Sequence, residues 1–335
     1  MTMDLKGKRI LMFHVPNYGY HKVMIESFKK AGAEVDDFDS RPSHNFWTKA
    51  LIRINRNLLG PIIDKYHNNI IEKVKGNNYD IVYCYKGEAF SPAMIQKLKD
   101  LFPKAYFVLY FPDSVRNNPS ARQIIPLFDD CYTFDKDDTS EFGIRFLPLF
   151  YSDNMRAVAN SNVKKEYDLF FVGTVHSDRY NFIKKIVNQY EAKGLKAFTW
   201  FYFPSRVLYY KMMFENNEVR KASKNEFKFK TIPAAQLAEL LASSSVVLDI
   251  QHPKQTGLTM RTIETLGAKK KLITTNNHIK NYDFYNPSNI LVVDRKNPVI
   301  PDEFMTTPYV EIPKEIYEKY YIDKWRDTLL SNYIG

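Results

Sequence analysis

The sequence predicts an α/β protein made of two Rossmann-like domains facing one another across a cleft. Three observations carry this. Short apolar runs alternate with stretches of helical periodicity, the alternation breaks at a polar connector and then restarts, and 335 residues suffice for two domains with a core each. Such alternation implies parallel sheets with right-handed crossovers and ligands at the carboxyl ends of the strands.

Residues 9–15 (RILMFHV) read as the first strand, followed by a loop at 16–19, a helical pattern to Ala31 and a second strand at 34–39. Residues 80–85, 105–111 and 130–134 read as further buried strands separated by helical stretches. Residues 148–165 form a polar connector, and the pattern restarts at Tyr167. The expected domains are 1–150 and 166–310, with 311–335 a C-terminal helix packing back on the N-terminal domain. The first strand–helix loop, HVPNYGYH, lacks G-x-G-x-x-G, so nothing supports a dinucleotide-binding dehydrogenase. No solenoid repeat or low-complexity tract is visible.

A hydrophobic content of 44% and an aromatic content of 15% exclude a largely disordered chain. The two cysteines, Cys84 and Cys131, lie inside apolar strand-like runs, which fits buried thiols in a reducing compartment and not a disulfide framework. No stretch approaches the roughly 20 apolar residues of a membrane span, and the N-terminal apolar run is too short for a signal sequence, so a soluble cytoplasmic protein is expected. The net charge of +10 is scattered among acids, and no nucleic-acid-binding signature accompanies it; no nucleic acid partner is expected.

The stretch GLTMRTIETLGAKKKLITTN at 257–276 carries the most chemistry. Met260, Ile263, Leu266 and Ala268 recur at helical spacing, and the apolar pair Leu272 and Ile273 follows as a strand. Arg261 and Glu264 then share a helical face near the N-terminus, where free N–H groups and the dipole suit a phosphate and a carboxylate can accept ribose hydroxyls. The alternative is an ordinary Arg–Glu surface pair.

This segment resembles the nucleotide-sugar-binding motif of GT-B glycosyltransferases, most closely the CgeB-like, group 1-like branch. Two further stretches match in order. YDLFFVGTVHSDRYNFIKKI at 167–186 looks like the opening strand, phosphate-side loop and first helix of that family's C-terminal domain, with Gly173, Thr174 and Arg179 in matching places. FKTIPAAQLAELLASSSVVLDIQ at 229–251 is similar to the segment whose backbone holds the base. The resemblance covers roughly the C-terminal half. It implies a nucleotide-sugar donor held by Gly173, Thr174, His176, Arg179, Ile232, Gln251, Gly257, Leu258, Thr259, Arg261 and Glu264, no cofactor, and a glycan or lipid-linked glycan acceptor such as lipopolysaccharide or capsule. One departure matters: retaining members of the superfamily carry a glutamate eight positions before the ribose-binding one, and here that position is Thr256. Retention therefore cannot be inferred.

An inverting transfer needs a base within reach of the acceptor hydroxyl. Asp113, after the apolar run YFVLYF and a proline, is the first candidate, His14 at the end of the first strand the second, and Glu88 after YCYKG the third. A capping aspartate and a structural histidine are the competing readings. Arg179 and His176 are expected to neutralise the leaving diphosphate. The strings Asp37–Phe38–Asp39 and Asp135–Lys136–Asp137 read as solvated loops at strand ends, and no metal is expected. The aromatic-basic run at 201–214 reads as core packing, with cleft lining as the alternative.

Residues 40–63 contain no acid, yet carry Arg41, Lys49, Arg53 and Arg56. Trp47, Leu51, Ile54 and Leu58 fall on one helical stripe opposite Lys49, Arg53 and Arg56, which suits an anionic membrane surface as well as a helix packed on the sheet.

Overall fold

The structure, a computed structural model, describes residues 3–334 apart from 17, 44, 46, 47, 49, 50, 53, 54, 177 and 252–255. The described residues form two compact units, Met1–Phe150 with Lys319–Gly335, and Tyr151–Glu318.

In the first unit, apolar runs become the strands β1 (Arg9–His14), β2 (Glu34–Asp39), β3 (Ile81–Tyr85), β4 (Tyr106–Phe111), β5 (Asp130–Thr133) and β6 (Arg145–Phe146). They pair in parallel in the order β2-β1-β3-β4-β5-β6. The order reverses between β1 and β3, so their carboxyl ends flank a topological switch point. Strands β3 and β4 are covered on both faces and accordingly read as continuous apolar runs. Cys84 and Cys131 lie free and buried on β3 and β5, and burial pushes the Cys131 thiol up to about 12. The C-terminal helix Ile322–Leu329 packs on the helix Tyr20–Lys30. Asp323 Oδ1 accepts from Ser27 Oγ at 2.7 Å, Arg326 donates to the Ser27 carbonyl at 2.6 Å, and Trp325 donates to the Pro148 carbonyl at 2.8 Å.

Two of the basic residues counted at 40–63, Arg41 and Arg56, are buried. Arg41 is buried and ion-paired with Glu88, and Arg56 is buried with Nη2 2.8 Å from Asp64 and Nε donating to the Ala89 carbonyl. Desolvating a guanidinium is tolerable only with such partners, and once it has them it cannot also serve a surface. Trp47, Lys49, Arg53 and Ile54 lie outside the described residues. No described helix is long and apolar enough to cross a membrane.

In the second unit the strands are β7 (Tyr167–Thr174), β8 (Ala197–Tyr202), β9 (Phe227–Lys228), β10 (Ser244–Asp249), β11 (Lys271–Thr274) and β12 (Ile290–Val292). All pair in parallel, in the order β12-β11-β10-β7-β8-β9, with the switch point between β7 and β10. The polar connector holds a helix the pattern did not announce, Asp153–Ala159, whose Met155 and Val158 pack on the same cluster as Phe170 and Val247. The run at 201–214 divides. Phe201, Phe203 and Tyr209 are in the core, whereas Val207, Leu208, Tyr210 and Phe214 are exposed, because the helix Arg206–Glu215 is apolar on both faces and only one meets the sheet.

The helix Met260–Gly267 ends against an aromatic pair. Tyr317 Oη donates to the Gly267 carbonyl at 2.7 Å, and Tyr151 Oη donates to the Tyr317 carbonyl at 2.9 Å. A Cβ on Gly267 would stand 2.6 Å from Tyr151 Cβ and 2.7 Å from its Cδ2. Gly267→Ala is therefore expected to cost about 1–3 kcal/mol through overpacking, read as a lower midpoint in chemical denaturation. An unchanged midpoint would mean that Tyr151 yields freely.

Candidate functional site

In the second unit, two loops leave the carboxyl ends of β7 and β10 on either side of the switch point, one running to the helix Arg179–Glu191 and the other to the helix Met260–Gly267. The latter helix starts at a capping residue, Thr259, whose hydroxyl accepts the Thr262 N–H at 3.2 Å. The same hydroxyl donates to the carboxylate of Asp249 at the end of β10, and Thr262 Oγ1 donates to it at 2.7 Å. This buried carboxylate is stabilised by the helix N-terminus, and the Thr259 side-chain proton is already used.

Arg179 ties the two sides together. Its Nη1 donates to the Thr174 carbonyl at 3.2 Å and its Nη2 to the Ile250 carbonyl. Burial lowers its pKa, with Asp249 opposing. A Cβ at Gly173 would lie 2.8 Å from Phe171 Cζ and 3.5 Å from Arg179 Nη1, so glycine leaves room for both side chains. Arg295, beyond β12, grips both oxygens of Asp178 at 2.9 and 2.7 Å and donates Nη1 to the Gln251 carbonyl at 3.1 Å. That bidentate pair holds the Asp178 carboxyl below its usual range. Gln251 Oε1 accepts from Thr275, and Asn276 Nδ2 donates to the carbonyls of Thr256 and Gly257.

The structure thus brings Gly173, Thr174, Arg179, Gln251, Gly257 and Thr259 to one sheet edge, with His176 in the connecting loop. Arg261 and Glu264 lie on the helix that follows, as an ion pair at 3.2 Å, the Arg261 guanidinium 5.9 Å from the centre of the Phe170 ring. Leu258 is buried. Ile232 stands apart, half-buried in the extended segment before the helix Ala234–Ala242, on the same sheet edge but beyond β8.

The first unit presents a second cluster at its own switch point. His14 ends β1 with 4% exposure, and its Nε2 lies 2.9 Å from Asp37 Oδ2 on β2. The carboxylate fixes the ring proton on Nε2, which leaves Nδ1 as a lone-pair acceptor. Nδ1 is buried without a protein partner, and the His21 ring stacks on His14 at 4.4 Å. Burial, then the neighbouring His14, lowers the His21 pKa.

After β3 the chain passes through Lys86 and Gly87, both at positive φ (82° and 65°). Lys86 Nζ sits 2.7 Å from Asp113 Oδ2 and 3.5 Å from Glu88 Oε2. Asp113 lies two residues beyond β4 and its side chain is 56% exposed, whereas Glu88 is 1% exposed between Lys86 and Arg41. The D-x-D strings are not solvated loops: Asp37 partners His14, Asp39 accepts from the Arg41 N–H, and Asp135 caps the helix Lys136–Phe142 by accepting the Asp137 N–H.

No protein-family model matches this sequence, and no curated protein sequence matches it. Solved structures do. The N-terminal domain of trehalose-6-phosphate phosphatase from Candida albicans superposes with a TM-score of 0.62 at 11% identity, covering 99% of this chain and 98% of that one. The catalytic domain of starch synthase IV from Arabidopsis thaliana, bound to ADP and acarbose, gives 0.56 at 8% identity over 97% of both chains. UDP-GlcNAc 2-epimerase from Neisseria meningitidis, bound to UDP-GlcNAc, gives 0.53 at 10% identity over 97% of this chain and 98% of that one. The fold is that of the GT-B class. At these identities the likeness establishes the two Rossmann-like units and nothing finer.

Arg295, Asp249 and Asn276 escaped the sequence reading. Asp249 had a signal, an acid closing the apolar strand SSVVLD just ahead of the motif. Arg295 had none, since its partners Asp178 and Gln251 lie far away in sequence and meet it only because β12 joins the same sheet edge.

Proposed function

We propose that the chain is a metal-independent GT-B glycosyltransferase of the CgeB-like, group 1-like branch. It moves a sugar from a nucleotide donor onto a growing bacterial surface glycan of lipopolysaccharide or capsule type, at the cytoplasmic face of the membrane. The observation that carries this is the convergence of residues from three separate sequence stretches on one β7/β10 switch point, where α/β sheets take their ligands. In this reading the diphosphate lies against Arg179, His176, Arg295 and the N-terminus of the helix Met260–Gly267, the ribose hydroxyls donate to Glu264, and the base rests near Ile232. His14 is the base, preferred over Asp113 because Asp37 orients its imidazole whereas Lys86 engages the Asp113 carboxylate. His14 Nδ1 takes the acceptor hydroxyl proton, the oxygen attacks the anomeric carbon, and the sugar–phosphate bond breaks with its electrons passing to the diphosphate.

Incubation with UDP-, GDP-, dTDP- and CMP-sugars, with and without glycan acceptor, tests the proposal: nucleotide release should require acceptor. Acceptor-independent conversion of the donor would favour a nucleotide-sugar epimerase, a reading supported by the fold shared with UDP-GlcNAc 2-epimerase. No consumption of any donor would leave a glycan-binding module.

Glu264→Ala removes hydrogen bonds to a charged group and should weaken nucleotide binding by about tenfold to a hundredfold. The fold should survive, since a lost pair three residues apart on a helix costs only a few tenths of a kcal/mol. Titration calorimetry on the folded variant reads this directly, and an unaltered Kd would remove Glu264 from the site.

A further inference from the structure

The helix Arg206–Glu215 carries an apolar stripe that the second unit does not cover. Tyr209, Met212 and Met213 pack inward on the core. Val207, Tyr210 and Phe214, spaced three and four apart, share the opposite face, with Val207 77% and Phe214 88% exposed. A helix apolar on both sides needs a second apolar phase. The charge around it names that phase. Between residues 206 and 224 the chain carries Arg206, Lys211, Arg220, Lys221 and Lys224 against Glu215 and Glu218 alone, all exposed. The ion pairs among them, Lys211–Glu215 and Lys221–Glu218, are open to solvent at 3.7 Å and hold the cations only weakly.

We infer that this face docks on an anionic lipid bilayer, Phe214, Tyr210 and Val207 entering the headgroup region while the surrounding cations meet lipid phosphates. The surface lies on a helix apart from the β7/β10 loops and does not depend on the glycosyltransferase reading. Within 40–63, by contrast, Arg41 and Arg56 are buried.

Co-sedimentation with vesicles of phosphatidylcholine mixed with phosphatidylglycerol, or of phosphatidylcholine alone, tests it on the full chain. The wild type should bind the anionic vesicles, release in high salt and leave the neutral ones free. The variant Val207→Ser/Tyr210→Ser/Phe214→Ser should bind about tenfold more weakly or less, and Arg220→Gln/Lys221→Gln/Lys224→Gln should lose the preference for anionic lipid. Both change exposed side chains, so unaltered thermal melting confirms their fold. Wild type that ignores anionic vesicles, or a serine variant that binds as well as wild type, overturns the inference. So does a wild-type mass that rises with concentration in sedimentation velocity and falls in the serine variant, which would make a second copy of the chain the occupant.

Discussion

His14→Asn should lower the turnover of donor and acceptor by about 10²- to 10⁴-fold while nucleotide affinity stays unchanged, the signature of a lost general base. The argument rests on geometry: a buried imidazole, its Nε2 held at 2.9 Å by Asp37 Oδ2 and its Nδ1 without a protein partner. Asp37→Asn should then be nearly as damaging as losing the imidazole. An amide can present its NH₂ to Nε2, which moves the ring proton to Nδ1 and removes the lone pair that must accept the acceptor's proton. Asp113→Asn, by contrast, disturbs an exposed contact with Lys86 and should leave turnover near normal. Steady-state kinetics on the three variants decides. If Asp113→Asn abolishes turnover and His14→Asn does not, the base is Asp113 and the His14–Asp37 pair is structural.

Glu88→Gln should cost about 3–5 kcal/mol of stability, among the largest effects of any single change in the first unit. Glu88 is buried, with Arg41 on one carboxylate oxygen and Lys86 on the other. Glutamine keeps the volume but leaves the two cations at the ends of β2 and β3 without their shared anion, and a buried guanidinium without compensation is far more expensive than the pair. Urea unfolding measures it. A loss below about 1 kcal/mol would show the cluster to be solvated in solution.

Much of the architecture was legible because the pattern had a physical cause. β3 and β4 are buried on both faces, so IVYCY and YFVLYF read as continuous apolar runs, and the restart at Tyr167 coincides with the first strand of the second sheet. The short flanking strands were not legible. β6 and β9 have two residues each, and β8 lies in an aromatic run with no turn residue before Pro204, so strand and following helix read as one stretch. In the site, Arg261 and Glu264 could be placed on one face from spacing alone. That Thr259 is committed to Asp249, or that Arg179 spans two backbone carbonyls, depends on loops converging from strands β7 and β10, which spacing does not encode. The same limit misled the charge count at 40–63: Arg41 meets Glu88 across the sheet, a partner invisible to a local window.

The central claim is that the carboxyl ends of β7 and β10 hold a nucleotide, and thermal unfolding of the wild-type chain with UDP, GDP, CMP and dTDP tests it most directly. One of the four, at a hundred times its Kd, should add about 2.7 kcal/mol of stability and raise the melting temperature, with the others smaller in order of affinity. A melting temperature that none of the four changes, at concentrations saturating for any ordinary donor site, would contradict it.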